Sequence, residues 1–173
     1  CLALSAPVYS GDMPAPEGRT ILTVAGALPD SNTRAATPED TTFSGYLDLE
    51  YDKAMAFDDM MLGQMEQHQI TANLLDTGRD IVYSGPRLSA VLAASGAQGK
   101  AAMPMALDGY QAEIEWKVIK EHEPILATHA DGVPMSIGGL GPAMVVFPVV
   151  ADKELYESFD ALQVFATFYI EVE

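Results

Sequence analysis

The sequence predicts a mixed α+β domain, on three observations. Most of the chain divides into short apolar or alternating runs bounded by glycine, proline or Asp-Gly pairs, the punctuation of strands and turns. A few segments instead repeat apolar residues at helical spacing. No internal repeat, coiled coil or low-complexity tract interrupts them, and 173 residues suffice for one domain that buries a core without staples.

Residues 1–18, opening "CLALSAPVYSG", are expected to be a flexible arm or the remnant of a processed leader, with a single domain over 19–173. "RTILTVAGAL", Arg19 to Leu28, is β-branched and apolar enough for a strand, and "PDSNTRAATPED" reads as a mobile loop. "TTFSGYLDLEY" alternates briefly, as a short edge strand does. In "AFDDMMLGQMEQHQ", Phe57, Met60, Met61 and Met65 recur at helical spacing, with Asp58 and Asp59 near the amino end where free N–H groups favour negative charge.

"QITANLL" and "IVYSG" are the next strands, joined through "DTGRD". "PRLSAVLAASGA" predicts a helix with Pro86 in its first turn, Leu88, Val91 and Leu92 on one face, and Gly96 at its end. "KAAMPMAL" and "YQAEIEW" flank Asp108-Gly109, which predicts a two-residue hairpin. That hairpin puts Met103, Met105 and Leu107 on one strand in register with Tyr110, Ala112, Ile114 and Trp116 on the next. "KVIKEHEP" gives one or two helical turns before Pro124, "ILATHA" a strand, Asp131-Gly132 a second turn, and "VPMSIGGLGP" a glycine-rich loop. "AMVVFPVV" is a buried strand whose Pro148 suits an edge or a strand end, and "ALQVFATFYIEV" closes the chain as an alternating strand.

The net charge of -16, from 25 acidic against 9 basic residues, repels phosphate backbones and anionic headgroups and so argues against nucleic acid. Solubility explains such acidity first, and a cationic partner second. Cys1 is the only cysteine, which excludes an internal disulfide framework and leaves a tag scar, a processing site or a lipid-modified cysteine as its readings. No window approaches the roughly 18 unbroken apolar residues of a membrane span.

Chemistry is weakly signalled. "GGLGP" lacks the spacing of a phosphate loop, no lysine follows it, and Pro142 removes a donor. His68, His122 and His129 have no zinc spacing, and Met60, Met61 and Met65 read as core filling before copper ligands, so no metal is assigned. Ser84, Ser89 and Ser136 lack a nucleophile setting, and the pairs Asp58 with Asp59 and Glu113 with Glu115 do not converge. Arg79, Asp108 and Tyr110 are the polar residues placed nearest a cleft. Tyr110 is either a ligand-orienting hydroxyl or a half-buried cross-strand aromatic. Arg79 either holds an anion or pairs with Asp76 or Asp80, and Asp108 is chiefly a turn former.

In order along the chain, "ILTVAGAL", "FDDMMLGQMEQHQIT", "YSGPRLSAVLAASGA", "MALDGYQAEI", "PILATHADGVPMS", "LGPAMVVFP" and "LQVFATFYIEV" resemble the oxidoreductase molybdopterin-binding domain family, the sulfite-oxidase-like fold, and especially its short stand-alone bacterial members. The resemblance implies a mixed sheet or partly open barrel core with short helices. It also implies a molybdenum ion held on a pterin dithiolene and one cysteine thiolate, for oxygen-atom transfer to or from a small oxyanion or sulfoxide. Its thiolate belongs near Asn73 to Asp76, where this chain has no cysteine. Tyr110 matches the family's tyrosine near the metal. The histidine and arginine that hold the pterin phosphate correspond to Leu140, before Gly141, and Met144, so both cationic contacts are replaced.

The resemblance therefore implies the fold without its usual activity. The leading expectation is a non-catalytic domain of the periplasm or cell envelope, without cofactor, which binds a small molecule or a protein partner through a vestigial cleft that includes Arg79, Asp108, Tyr110 and Gly141. Cys1, if native, would then suit a lipid anchor. The alternatives are a molybdopterin-dependent oxidoreductase that uses Tyr110 as its catalytic group, and a purely structural interaction module. Met103, Met105 and Trp116 are expected to fill a vacated cavity, since side chains replace a lost cofactor more cheaply than a void does.

Overall fold

The strand expected over Arg19 to Leu28 forms as β1 (Thr20–Gly26), with Leu22, Val24 and Ala25 fully buried. The computed structural model describes residues 15–29, 34–35, 47, 49, 51, 53–74 and 78–173. Most of the expected arm, the loop after β1 and the edge strand near Phe43 fall outside these residues. Within them, Arg34–Ala35 forms a short strand, β2, and the Gly18 amide is tied to the Asp58 carboxylate at 2.7 Å.

The closing strand β12 (Val164–Val172) is the hub of an eight-stranded sheet. It runs parallel to β1 and antiparallel to β6 (Ala101–Ala106) and β11 (Ala143–Val146). Beyond β1 lie β3 (Lys53–Asp58) and β2; beyond β11 lies β8 (Ile125–Ala127), and the short β7 (Ile114–Glu115) pairs with β6. A second sheet is ordered β10 (Val133–Pro134), β9 (His129–Ala130), β5 (Ile81–Pro86), β4 (Gln67–Ala72). The larger sheet curls into a half-barrel, so the fold is the mixed α+β class the sequence predicts.

Among the described residues four short helices cover it: α1 (Asp59–Gln64), α2 (Leu88–Ala94), α3 (Trp116–His122) and α4 (Lys153–Phe159). The first is shorter than its periodicity suggests. Phe57 belongs to β3, because its register places it opposite Leu22 of β1. Asp58 precedes the helix as its cap, accepting the Met61 amide at 2.8 Å, which closes an end that otherwise lacks partners. Met61 is buried and Met60 is 50% exposed, so the methionines do not share one face.

Two further boundaries move. Pro86 ends β5 opposite Gln67 instead of opening α2, and Arg87 takes the extended cap position before Leu88. Trp116 opens α3 instead of ending a strand, and packs half-buried on the main core. Helix α4 was not expected, although Asp152 caps it by accepting the Leu155 amide at 3.0 Å. Pro148 lies just past β11, an inner strand, which agrees with a strand end and not with an edge.

The largest core cluster joins Leu22, Phe57, Leu92, Ile114, Phe147 and Ile170. A second, between the two sheets, contains Tyr83, Ile125, Met144 and Val146. Met105 and Tyr169 belong to a third, with Ala25 and Leu49. Met105 and Trp116 thus pack in separate clusters and do not fill one space together.

Candidate ligand-binding cleft at Tyr110

The two Asp-Gly pairs make different turns. At Asp131-Gly132 both residues have positive φ, 49° and 76°, and Ala130 faces Val133, so this is the two-residue type I′ hairpin. At Asp108-Gly109 only Gly109 does, with φ of 89°. Here the Gly109 amide donates to the Ala106 carbonyl at 2.9 Å, and the Ala106 amide to the Tyr110 carbonyl at 2.8 Å. The loop is therefore Leu107, Asp108 and Gly109, a three-residue connection with glycine at the left-handed position. The Asp108 carboxylate accepts the Tyr110 amide at 2.9 Å, an Asx turn that keeps Asp108 out of the conformation a type I′ turn requires. The register shifts by one, so Ile114 faces Ala102 instead of Met103.

This turn projects Tyr110, 46% exposed, over an open cleft of about 520 Å³. One wall is the turn itself, with Ala106, Leu107, Asp108 and Tyr110; a second is the glycine loop at Gly138 and Gly139. The floor and far wall come from the end of the chain, with Asp160, Gln163, Phe165 and Ala166. Three hydrogen bonds join these segments. The Tyr110 hydroxyl donates to the Ala161 carbonyl at 2.8 Å, the Leu107 amide to the Ala166 carbonyl at 3.1 Å, and the Ala166 amide to the Leu140 carbonyl at 2.9 Å. Ala166 holds a φ of 49°, a left-handed conformation that costs a residue with a Cβ about 1–2 kcal/mol. It sits where the register of β12 slips, and this kink brings both neighbours within reach.

The charges of the lining are of one sign. Asp108 and Asp160 are its ionisable carboxylates, and no lysine, arginine or histidine lines it among the described residues. Gln163 is 4% exposed, and its Oε1 has no hydrogen-bond partner.

Of the residues singled out from sequence, Asp108 and Tyr110 share this cleft, and Gly141 lies at the base of its glycine loop. There the Gly139 and Gly141 amides both donate to the Ser136 carbonyl at 3.1 Å, so they turn inward and do not converge on a phosphate. A Cβ at Gly141 would stand 2.3 Å from the Met135 carbonyl oxygen, which makes its role steric. Arg79 is not a lining residue. Its guanidinium pairs with Asp131 at 2.8 Å, far along the sequence, while toward Asp80 it meets only the main-chain carbonyl, at 3.4 Å. Asp76 lies outside the described residues. The Val82 amide, and then Arg79, hold the Asp131 carboxyl below its usual range.

The donor set does not fit a molybdopterin. The chain has no internal cysteine for a thiolate, and Met144 is fully buried between the sheets, beside Tyr83 and Val146. Leu140 packs against the same cluster. Both positions that would carry cations in the resembling family are therefore apolar and turned into the core. The histidines are separate: His68 accepts the Arg87 Nε–H at 3.3 Å, His129 pairs with the Thr128 hydroxyl at 2.9 Å, and His122 packs on Phe159. Among the described residues no group of three metal-ligating side chains exists.

Asp160, Gln163, Phe165 and Ala166 escaped the sequence reading, which met Gly138 and Gly139 only in the glycine-rich loop. The signal for the first three was present in "FDALQVFA", where a helix end runs directly into a strand and leaves a polar and an aromatic residue at the junction.

No family model and no curated protein matches this sequence. Among solved structures, the sulfane dehydrogenase SoxCD from Paracoccus pantotrophus is similar over 88% of this chain, with a TM-score of 0.58 and 14% identity. This chain spans 38% of that one. The likeness is one of fold.

Proposed function

We propose that this chain is a non-catalytic ligand- or partner-binding domain of the cell envelope, built on a sulfite-oxidase-like scaffold and working through the cleft at Tyr110. One observation carries the reading: at Met144 the position of a phosphate-holding cation is occupied by a side chain wholly sealed in the core. An anionic pterin would meet Asp108 and Asp160 without a compensating cation among the described residues of the cleft. The Tyr110 hydroxyl, tied to the Ala161 carbonyl, serves as a fixed wall and is not directed at a substrate oxygen.

The competing reading is a molybdopterin oxidoreductase, and the likeness to a sulfane dehydrogenase favours it. Native mass spectrometry with elemental analysis separates the two, using protein exported to the periplasm of a host that makes molybdopterin. A bare chain is the expected result. One molybdenum per chain together with a pterin mass overturns the proposal.

A further inference from the structure

We infer that the cleft at Tyr110 takes a small organic cation, whose ammonium group meets the carboxylates of Asp108 and Asp160 while its apolar body lies on Phe165 and Tyr110. This rests on the reading of the cleft as a binding site and adds the class of ligand.

Two features agree on the sign of that ligand. Among the described residues the lining carries two carboxylates and no cationic side chain, in a chain of net charge -16, so cations are concentrated there and anions repelled. The second feature is aromatic. Phe165 is 37% and Tyr110 46% exposed, large rings left in solvent at the cleft, and their faces attract both apolar surface and positive charge. Tyr110 is held in place through its hydroxyl, so its ring is a prepared surface.

The test is a titration of the isotopically labelled full chain, followed by backbone amide NMR shifts. The probes are phenethylammonium, the neutral phenethyl alcohol and the anionic 3-phenylpropionate. Saturable shifts at Tyr110, Gly138, Gly139 and Ala166 are expected with phenethylammonium alone. Asp160→Asn is expected to weaken binding about threefold, and Asp108→Asn as much, the range of a partly exposed ion pair. Asp108→Asn keeps an oxygen for the Tyr110 amide, so loss of the turn is not the cause. Added salt weakens the binding further.

Equal shifts with the alcohol would overturn the cationic class while leaving the cleft a binding site. Stronger shifts with 3-phenylpropionate, or binding unchanged in Asp108→Asn and Asp160→Asn, would also overturn it. An absence of shifts at these residues with all three probes removes this inference, whereas molybdenum with pterin in the purified protein removes the reading beneath it.

Discussion

Tyr110 and Ala161 are joined by a hydrogen bond of 2.8 Å that spans 51 residues of sequence. It ties the turn after β6 to the 3-10 segment Asp160–Leu162, which otherwise follows α4 without a strand partner. The bond sets the width of the cleft, because Asp108 lies on one of the joined segments and Asp160 on the other.

Tyr110→Phe removes this bond and keeps the ring. The Ala161 carbonyl left without its donor belongs to an exposed residue and regains water, so the loss of stability is expected at the low end for a hydrogen bond, about 0.5–1 kcal/mol by urea unfolding. Amide exchange should rise at Leu162 and Gln163 more than in β1. Any sulfite- or sulfoxide-dependent turnover is expected to be negligible and equal in both proteins; turnover that falls in the variant would restore an oxyanion-orienting role for Tyr110.

Asp58 is buried, and its carboxylate accepts amides from Gly18 and Met61 at 2.7 and 2.8 Å. The Met61 and then the Gly18 amide hold its carboxyl below the ordinary value of 3.8, against the opposing effect of burial. A carboxyl lowered in the folded state contributes stability that is present above 3.8 and lost as the pH falls through the folded value. Asp58→Asn keeps an oxygen at the cap but removes the charge that the two amides stabilise, and is expected to reduce stability by about 1 kcal/mol at neutral pH. The gap to the native protein should close below pH 3.8, measured by urea unfolding at a series of pH values. Asp131 titrates in the same direction in both proteins, so the difference isolates Asp58. A gap that stays constant with pH would show that the carboxylate charge is not what the two amides stabilise.

These relationships separate what the sequence makes legible from what it does not. Strands β1, β5 and β12 follow from local alternation and turn chemistry, and the mixed class follows from their number. The length of the turn after β6 does not, because Asp-Gly suits both a two-residue loop and the three-residue loop that forms, and the Asx bond from Asp108 decides. Phe57 fits a helical stripe and a strand equally, and tertiary pairing with Leu22 settles it. Arg79 with Asp131, Gly18 with Asp58 and Tyr110 with Ala161 are 52, 40 and 51 residues apart, so no local pattern contains them. The cleft is likewise assembled from three distant segments. Sequence supplies its tyrosine and its turn aspartate, while Asp160 and Phe165 join them only through packing.

Met144 gives the sharpest test of whether this fold can hold an anionic cofactor. Its side chain is fully buried between β11 and the second sheet, with Tyr83, Ile125 and Val146 around it. Met144→Arg would place a charge among these apolar groups, which costs about 3–5 kcal/mol. The variant is expected to unfold at much lower urea, with its near-ultraviolet dichroism weakened. Met144→Leu, which nearly conserves volume, should lose less than about 1.5 kcal/mol and so control for packing. Near-native stability in Met144→Arg would mean that the arginine reaches solvent or the cleft, and that a phosphate-holding cation is one substitution away. A large loss confined to the arginine variant would instead show that the core is closed at this position, so that anion binding there would require repacking of both sheets.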